Sequence, residues 1–280
     1  MLHKNIYNEF IKILNKPRSY IGIGVLTVLI LIIEFALKLD GNSILSFVTS
    51  SFEQTLNFSG KILNGNLVAF IIIQMLIVHV PLLIALVTGD LVSGEAAMGT
   101  IRMLVTKPIS RANIILSKFI AGGAYTLLIT LWMGLLSVYF SEWLFGKGDV
   151  IVLNSDGLVI LKEVDVAWRF LSAFCVSFLS LLTISSLSIC LSVFSDNSIG
   201  PIVSTMAIII LFTIIGSIDI SAFNSLKPYL FTTHMASWRS FFNQPIITND
   251  IIQSILVLII HNMLFFVIAV LKFNHKDIKS

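Results

Sequence analysis

The stretch GDLVSGEAAMGTIRMLVTKPISRANIILSK, residues 89–118, lies between two long apolar runs and combines charge, glycine and proline. Its apolar residues recur at the spacing of one helix face. The residues of that stripe are Ala97, Met98, Ile101, Leu104 and Val105. The pattern predicts a short amphipathic helix that is interrupted by Gly94 and Gly99.

A proline turn should end this short helix, and a second helix should follow. Lys107 precedes Pro108, and a residue before proline avoids the helical region of backbone space. Ser110 then has the position and chemistry of an N-cap for the helix that enters the next apolar run. We call residues 89–111 the elbow.

The composition indicates an integral membrane protein. Of 280 residues, 56% are apolar and 12% are charged, whereas soluble domains carry about 25% charged residues. The net charge of +3 is too small to indicate a nucleic-acid partner. Cys175 and Cys190 would lie about 22 Å apart along one helix, which is too far for a disulfide between them.

Six apolar runs are long enough to cross a bilayer, since a helix of about 20 residues spans the hydrocarbon core. They are residues 20–39, 67–87, 119–140, 170–194, 199–218 and 251–271. The runs are continuous, whereas membrane barrels show short alternating segments. We therefore predict an all-α integral membrane protein with six transmembrane helices in one transmembrane domain, residues 1–280.

Residues 1–19 predict an amphipathic helix at the membrane interface. Its apolar stripe consists of Leu2, Ile6, Phe10, Ile13 and Leu14. A basic amphipathic helix beside a membrane span is typical of interfacial segments, and an ordinary surface helix has the same pattern. Pro17 should end this helix.

The distribution of Lys and Arg predicts that both termini and the elbow are cytoplasmic. Eleven of the 18 basic residues lie in the two terminal tails and in the segment between spans two and three. Cytoplasmic segments carry the excess of Lys and Arg in membrane proteins. The aromatic segment 219–250 falls on the outer side. It is expected to form either short helices dipping into the interface or a compact loop packed on the spans.

Polar residues within the predicted spans are candidates for function, because polar groups are costly in hydrocarbon. They are Glu34, Gln74, His79, His261 and Asn262. Glu34 can pair with Lys38 one helical turn on, or can lie on a substrate or proton path. The two histidines can form a metal or proton path, or can bond between helices, as the Ser- and Thr-rich run 170–194 can.

Motifs for nucleotide or metal chemistry do not occur in the sequence. It contains no G-x-x-x-x-G-K-[ST] loop for nucleotide phosphates and no H-E-x-x-H pair for zinc. Nothing in it proposes a catalytic nucleophile or a metal site. We therefore expect no enzyme activity and no cofactor in this chain.

The elbow carries a dense set of residues at fixed spacing. They are Gly94, Glu95, Gly99, Thr100, Ile101, Leu104, Val105, Pro108, Ile109, Ser110 and Arg111, followed by Lys118 and Phe119. This set resembles the signature G-E-x-x-x-G-T-[IL]-x-x-L-[LV]-x-x-P-[IV]-S-R of the permease subunits of type-2 ABC exporters. The family plan of an amphipathic N-terminal helix and six spans is similar over essentially the whole chain.

The resemblance implies a permease subunit of an ATP-driven exporter in a prokaryotic cytoplasmic (inner) membrane. Its partners would be a separate ABC ATPase, which binds ATP and Mg, and a second copy of this chain or a similar permease. The residues implied in coupling to the ATPase are Gly94, Glu95, Gly99, Thr100, Arg102, Lys107, Pro108, Ser110 and Arg111. Glu95 and Arg102 are predicted to contact that partner, whereas Lys118 is predicted to contact lipid headgroups.

Other classes of function remain open at this point. An ATP-independent secondary transporter or channel would use Glu34, His79 and His261. A membrane scaffold would dock a partner on the aromatic outer loop. Glu95-Ala96-Ala97 is also similar to the E-A-A loop of ABC importer permeases, although the next glycine follows at a different spacing. The elbow does not identify the substrate.

Overall fold

The computed structural model describes residues 2–49, 63–106, 108–154 and 157–276. Its α-helices are α1 Leu2–Leu14, α2 Pro17–Thr49, α3 Gly65–Leu76, α4 Val80–Thr88, α5 Asp90–Ala97, α6 Ile101–Val105, α7 Arg111–Gly134, α8 Ser141–Phe145, α9 Glu163–Phe194, α10 Ile199–Ser217, α11 Ser221–Asn224, α12 Phe231–Met235 and α13 Thr248–Asn274. A π-helix, Leu135–Phe140, joins α7 to α8. Two antiparallel strands form a hairpin, β1 Val150–Asn154 and β2 Gly157–Leu161.

Six helical segments of the described chain are long and apolar enough to cross a membrane. They are Pro17–Gly41, Val80–Ala97, Arg111–Phe145, Glu163–Phe194, Ile199–Ser217 and Thr248–Asn274. The prediction of an all-α membrane protein with six spans is therefore confirmed. The first of these segments begins at Pro17, so α1 is a separate helix, as the sequence predicts.

The second predicted span, residues 67–87, is two helices instead of one. α3 ends at Leu76, α4 begins at Val80, and Pro81 lies in the first turn of α4. Proline has no N–H to donate, so the hydrogen bonding of one continuous helix cannot pass through this point. The candidate span here runs from Val80 into the elbow as far as Ala97.

The segment after α8 contains a β-hairpin that the sequence did not predict. Val150 and Val152 of β1 are buried, and β1 packs against α3. Asn66 at the start of α3 donates a hydrogen bond to the carbonyl of Gly148 (2.8 Å). The hairpin is thus fixed to the end of the bundle at which α3 begins.

α9 is the central helix of the bundle, packing against α4, α5, α7, α10 and α13. Small residues permit these close contacts. A Cβ atom at Gly122 of α7 would lie 2.8 Å from Ile189 Cδ1 and 3.1 Å from Ser185 Oγ. The Ser- and Thr-rich run of the sequence therefore packs between helices, as predicted.

α1, the elbow and the C-terminal end of α13 lie together at one end of the bundle. α1 packs on α7. Arg111, the first residue of α7, donates from Nη1 to the carbonyls of Phe273 (3.2 Å), Asn274 (2.9 Å) and Lys276 (3.0 Å). Both ends of the described chain therefore lie beside the elbow.

The aromatic segment 219–250 packs on the spans at the opposite end. Phe231, Trp238 and Phe242 are fully buried. The ring centroid of Phe242 lies 4.9 Å from that of Phe70 and 5.1 Å from that of Phe170. The segment forms short helices, and the rings of Phe231, Trp238 and Phe242 pack on the spans, in agreement with the compact-loop interpretation.

Candidate functional site at the elbow

Ser192 of α9 holds the start of the elbow. Its Oγ accepts hydrogen bonds from the backbone N–H groups of Val92 (3.2 Å) and Ser93 (2.8 Å), and donates one to the carbonyl of Gly89 (2.6 Å). The first N–H groups of a helix have no partner within that helix, so a side chain from a neighbour can cap them. α5 is thereby fixed to the central helix.

Four charged side chains form a network between α1, α5 and α7, in which Glu9, Glu95 and Lys118 are buried and Lys12 is 42% exposed. Lys118 Nζ lies 2.8 Å from Glu9 Oε2 and 2.7 Å from Glu95 Oε2, and donates to the carbonyl of Leu91 (2.7 Å). Lys12 Nζ contacts the other oxygen of each carboxylate, Glu9 Oε1 and Glu95 Oε1. The Lys118 side chain is 1% exposed, and its three donors are matched by three acceptors.

The network is balanced, with two lysines and two glutamates. Taking an ion out of water costs several kcal/mol, which only well-placed opposite charges can offset. Burial acts to raise the pKa of Glu9, but attraction and hydrogen bonds from Lys118 and Lys12 outweigh it, so that pKa is lowered. Burial acts to lower the pKa of Lys12, but hydrogen bonds to Glu9 and Glu95 outweigh it, so that pKa is raised. Glu9 and Lys12 are therefore both charged at neutral pH.

A second ionic cluster surrounds Asp90 at the start of α5. Asp90 Oδ2 lies 2.7 Å from Lys16 Nζ, and Asp90 Oδ1 lies 3.0 Å from Arg18 Nη1. Lys16 and Arg18 flank Pro17, where α1 gives way to α2. Together the two clusters join both α1 and its connection to α2 to the elbow.

The face of α1 that packs on the bundle is largely polar. Asn5, Glu9 and Ile13 are its buried residues, whereas Tyr7 and Ile11 are exposed. The amphipathic helix is therefore fixed to protein through its charges, in addition to the interfacial role predicted for its apolar stripe. Apolar periodicity alone could not indicate this docking, because the contacting residues include Glu9.

The elbow turns at Gly99, whose φ of +71° lies in the left-handed region that side chains disfavour. α5 ends before this turn and α6 begins after it. The predicted apolar stripe is therefore divided between two helices. Ile101 and Leu104 are buried, whereas Ala97 and Met98 are exposed, so the single amphipathic face predicted across Gly99 does not form.

An exposed patch, which we call the elbow surface, consists of Ala97, Met98, Arg102, Met103 and Pro108. The two methionines are each 64% exposed. Arg102 forms no ion pair with any part of the chain that the structure describes. This patch combines apolar side chains with a cation that has no ion-pair partner in the described chain.

Glu95 does not belong to the elbow surface. It is 6% exposed, and both of its carboxylate oxygens bind lysines of the same chain. The prediction that Glu95 contacts a soluble partner directly is contradicted by this burial. The headgroup contact predicted for Lys118 is contradicted in the same way, since Lys118 lies inside the protein.

Ser110 and Arg111 hold the far end of the elbow. Ser110 Oγ accepts a hydrogen bond from the backbone N–H of Asn113 (3.3 Å), which confirms the predicted N-cap. Arg111 caps the end of α13 through the three carbonyl contacts described above. Both residues therefore make contacts within the chain.

Gly94 and Thr100 also act within the elbow. A Cβ atom at Gly94 would lie 2.3 Å from Asp90 Oδ1, so a larger residue would displace the carboxylate that binds Lys16 and Arg18. Thr100 Oγ1 donates to the carbonyl of Glu95 (3.3 Å). Lys107, a predicted coupling residue, lies outside the described residues.

Glu34 is fully buried in α2 and bonds to Ser141, not to Lys38. Glu34 Oε1 accepts from Ser141 Oγ (2.7 Å), whereas Lys38 is exposed. The predicted pair of Glu34 with Lys38 is therefore wrong. In the described part of the chain, Glu34 Oε2 has no hydrogen-bond partner.

Asn262 bonds between helices, as one of the two sequence-based interpretations predicts. Its Nδ2 donates to Thr183 Oγ1 (2.8 Å), and its Oδ1 accepts from Ser186 Oγ (2.6 Å). These contacts join α13 to α9 within the apolar part of the bundle. Asn262 is thus a packing residue in this structure.

The remaining polar residues of the spans do not assemble a site with one another. Gln74 and His79 are exposed, and His79 Nδ1 lies 2.9 Å from the carbonyl oxygen of Met75 in the preceding turn. His261 Nδ1 lies 2.8 Å from the carbonyl oxygen of Val257 in its own helix. Over the described residues, no group of three or more His, Cys, Asp or Glu side chains could hold a metal ion.

Comparison with known proteins gives a match along almost the whole chain. A family model described as "ABC-2 family transporter protein" matches residues 6–278. The match includes α1 from residue 6 onwards, the whole elbow and α13, which are the elements that meet at one end of the bundle. No curated protein matches the chain.

Proposed function

Because this chain belongs to the ABC-2 family of transporter proteins, we propose that it is the permease subunit of an ATP-driven exporter. A separate ABC ATPase binds ATP and Mg and docks on the elbow surface. Closure of the ATPase moves the elbow, and the elbow moves the spans. This chain supplies the membrane pathway and performs no hydrolysis itself.

The observation that supports this proposal most is the division of the elbow into two sides. Its outer side presents Met98, Arg102 and Met103 to solvent, and its inner side carries Glu95 in a buried ionic network. Methionine and arginine are enriched at protein interfaces, and a central arginine often carries much of the binding energy. A surface of this kind suits a soluble protein partner.

The contacts of the elbow define a route for force into the bundle. The network of Glu95 with Lys118 leads to α7, and that of Glu95 with Lys12 leads to α1. Ser192 connects α5 to α9. In this proposal Arg102 contacts the partner, whereas Glu95 is a positioning residue that keeps the elbow rigid.

The proposed location is the cytoplasmic membrane of a prokaryote, with the elbow and both termini in the cytoplasm. The excess of Lys and Arg at this end of the bundle supports that orientation. A second copy or a similar permease would complete the pathway. α10 offers an unoccupied apolar face for it, since only 11% of its residues are buried within this chain.

The test is binding of the chain to an ABC ATPase encoded beside it, after co-expression and purification in detergent. Arg102→Glu and Met103→Asp should each weaken the complex roughly tenfold, which is a typical loss at a central interface residue. Permease-dependent ATP hydrolysis should fall with the complex. Unchanged binding by both variants would contradict the assignment of the elbow surface.

Lys4→Glu is the matched control, because Lys4 is an exposed cation on α1 outside the elbow surface. This variant has the same charge change as Arg102→Glu and should bind the ATPase normally. A loss of binding in Lys4→Glu as large as in Arg102→Glu would mean that the overall charge of this end, and not a specific surface, governs the complex.

A further inference from the structure

An open cavity of about 320 Å³ lies between the start of α2 and the elbow. Lys16, Arg18, Asp90, Ala97, Met98 and Ser198 line it. We infer that this cavity binds the phosphate of an anionic phospholipid headgroup through Lys16 and Arg18. The cavity shares Ala97 and Met98 with the elbow surface, but Lys16 and Arg18 lie outside that surface, so the inference does not depend on the proposed docking of an ATPase.

The charges of the cavity favour an anion. Two cations face one carboxylate, so the lining carries a net charge of +1. The carboxylate of Asp90 contacts Lys16 through Oδ2 and Arg18 through Oδ1, so each of its oxygens already has a partner. An additional anion can therefore bind the cations without displacing Asp90 from its own contacts.

Hydrogen-bond donors remain free in the cavity. A lysine has three donors and an arginine has five. Within the described chain, the side chains of Lys16 and Arg18 each pair with Asp90 and form no ion pair or hydrogen bond with another side chain. They are 28% and 43% exposed, so a ligand can reach them. A phosphate oxygen matches such donors in charge and geometry.

The position of the cavity favours a lipid over a soluble phosphate. Arg18 is the second residue of the candidate span Pro17–Gly41, and Tyr20 is 61% exposed two residues later. Basic and aromatic residues at the end of a span lie at the headgroup level of a bilayer. Ala97 and Met98 add an apolar wall beside the two cations. The anion present at this level is the headgroup phosphate.

The test uses the full chain, purified without an ATPase and placed in nanodiscs of phosphatidylcholine with or without phosphatidylglycerol. Native mass spectrometry then counts the phosphatidylglycerol molecules that stay bound after transfer to detergent. The double substitution Lys16→Gln with Arg18→Gln should reduce retention roughly tenfold, through loss of the charge-assisted bonds. Lys4→Gln removes an exposed cation outside the cavity and should retain the lipid.

A second variant keeps the test informative should the double substitution fail to fold. Ala97→Phe fills the cavity from an exposed position and leaves both cations and Asp90 in place. It should reduce retention of phosphatidylglycerol while its unfolding temperature in phosphatidylcholine stays that of the unaltered chain. Full retention by Ala97→Phe and by the double variant would overturn the site.

Millimolar inorganic phosphate in phosphatidylcholine nanodiscs separates the two possible sources of the anion. We expect phosphatidylglycerol, and not inorganic phosphate, to raise the unfolding temperature in a manner that depends on Lys16 and Arg18. Stabilisation by inorganic phosphate alone would assign the cavity to a soluble ligand and overturn the lipid headgroup. Equal loss of lipid from Lys4→Gln and from the double variant would mean that lipid retention depends on the overall charge of the chain, and it would overturn the site.

Discussion

Lys118 is the residue on which the buried network depends most. Replacing it by methionine keeps most of the side-chain volume but leaves Glu9 and Glu95 with Lys12 as their one common partner. Removing one partner of a buried ion pair costs about 3–5 kcal/mol, because the other charge stays buried without compensation. Lys118→Met should therefore lower the unfolding temperature of the purified chain markedly, as measured by thermal unfolding in nanodiscs.

The charge balance itself can be tested by restoring it. In the double variant Glu9→Gln with Lys118→Met, one lysine faces one glutamate, and much of the lost stability should return. Lys4→Met serves as the control, since Lys4 is exposed and its loss should have little effect. A loss in Lys118→Met no larger than that in Lys4→Met would show that Lys118 is not buried with the two carboxylates.

The sequence singles out particular residues of the elbow but does not indicate what each one contacts. The signature places Glu95 at a special position, but the partners of Glu95 are distant in sequence. Lys118 is 23 residues away and Lys12 is 83 residues away. A charge pattern along the chain cannot reveal that two lysines and two glutamates meet, because the meeting depends on how α1 packs across α7. The contact of Ser110 with Asn113 was predictable because it is local.

Among the elements, the elbow depends on the left-handed turn that separates α5 from α6. Gly99→Ala should destabilise this turn by about 1–2 kcal/mol, the cost of left-handed backbone for a residue with a Cβ. No atom lies within 4 Å of a Cβ built at Gly99, so the cost is conformational and involves no clash. Hydrogen exchange of the amides in residues 101–106 should become roughly tenfold faster as the turn opens more often.

Two variants check this explanation at the same scale. Gly99→Asn should cost less than Gly99→Ala, because asparagine tolerates left-handed backbone. Gly24→Ala lies in α2, also with no atom within 4 Å of the added Cβ, and should leave exchange in the elbow unchanged. If alanine and asparagine at residue 99 accelerated exchange equally, backbone conformation would not be the cause.

Elements were predictable where one local pattern determines them. Apolar runs gave five of the six candidate spans, and Pro17 gave the boundary between α1 and α2. The interruption between α3 and α4 was missed because its neighbours are uniformly apolar, although Pro81 was a usable signal. The β-hairpin was missed because its strands are short. Val150 is buried and β1 packs against α3, a long-range contact that no local sequence pattern indicates.

For the whole molecule, the number of spans and the contacts at one end constrain each other. α1, the elbow and the end of α13 touch through Lys12, Glu95 and Arg111, so they lie on the same side of a membrane. An even number of candidate spans likewise predicts that the two ends of the described chain lie on one side. The excess of Lys and Arg at this end of the bundle predicts that it faces the cytoplasm.

That orientation can be measured with single cysteines in a chain whose Cys175 and Cys190 are replaced by alanine. Asn8→Cys and Met103→Cys place a thiol on exposed parts of α1 and the elbow, and Tyr229→Cys places one at a 73% exposed position of the aromatic outer segment. A membrane-impermeant maleimide added to intact cells should label residue 229 only. Residues 8 and 103 should react after the membrane is permeabilised.

The three positions separate an error of orientation from an error of fold. Labelling of residues 8 and 103 from outside, with residue 229 protected, would mean that the molecule is inverted in the membrane while its contacts stand. An ATPase in the cytoplasm could then not reach the elbow. Labelling of residues 8 and 103 from opposite sides would contradict the fold itself, because Lys12 and Glu95 could then not form their ion pair. The same experiment thus tests the ionic network and the proposed coupling independently.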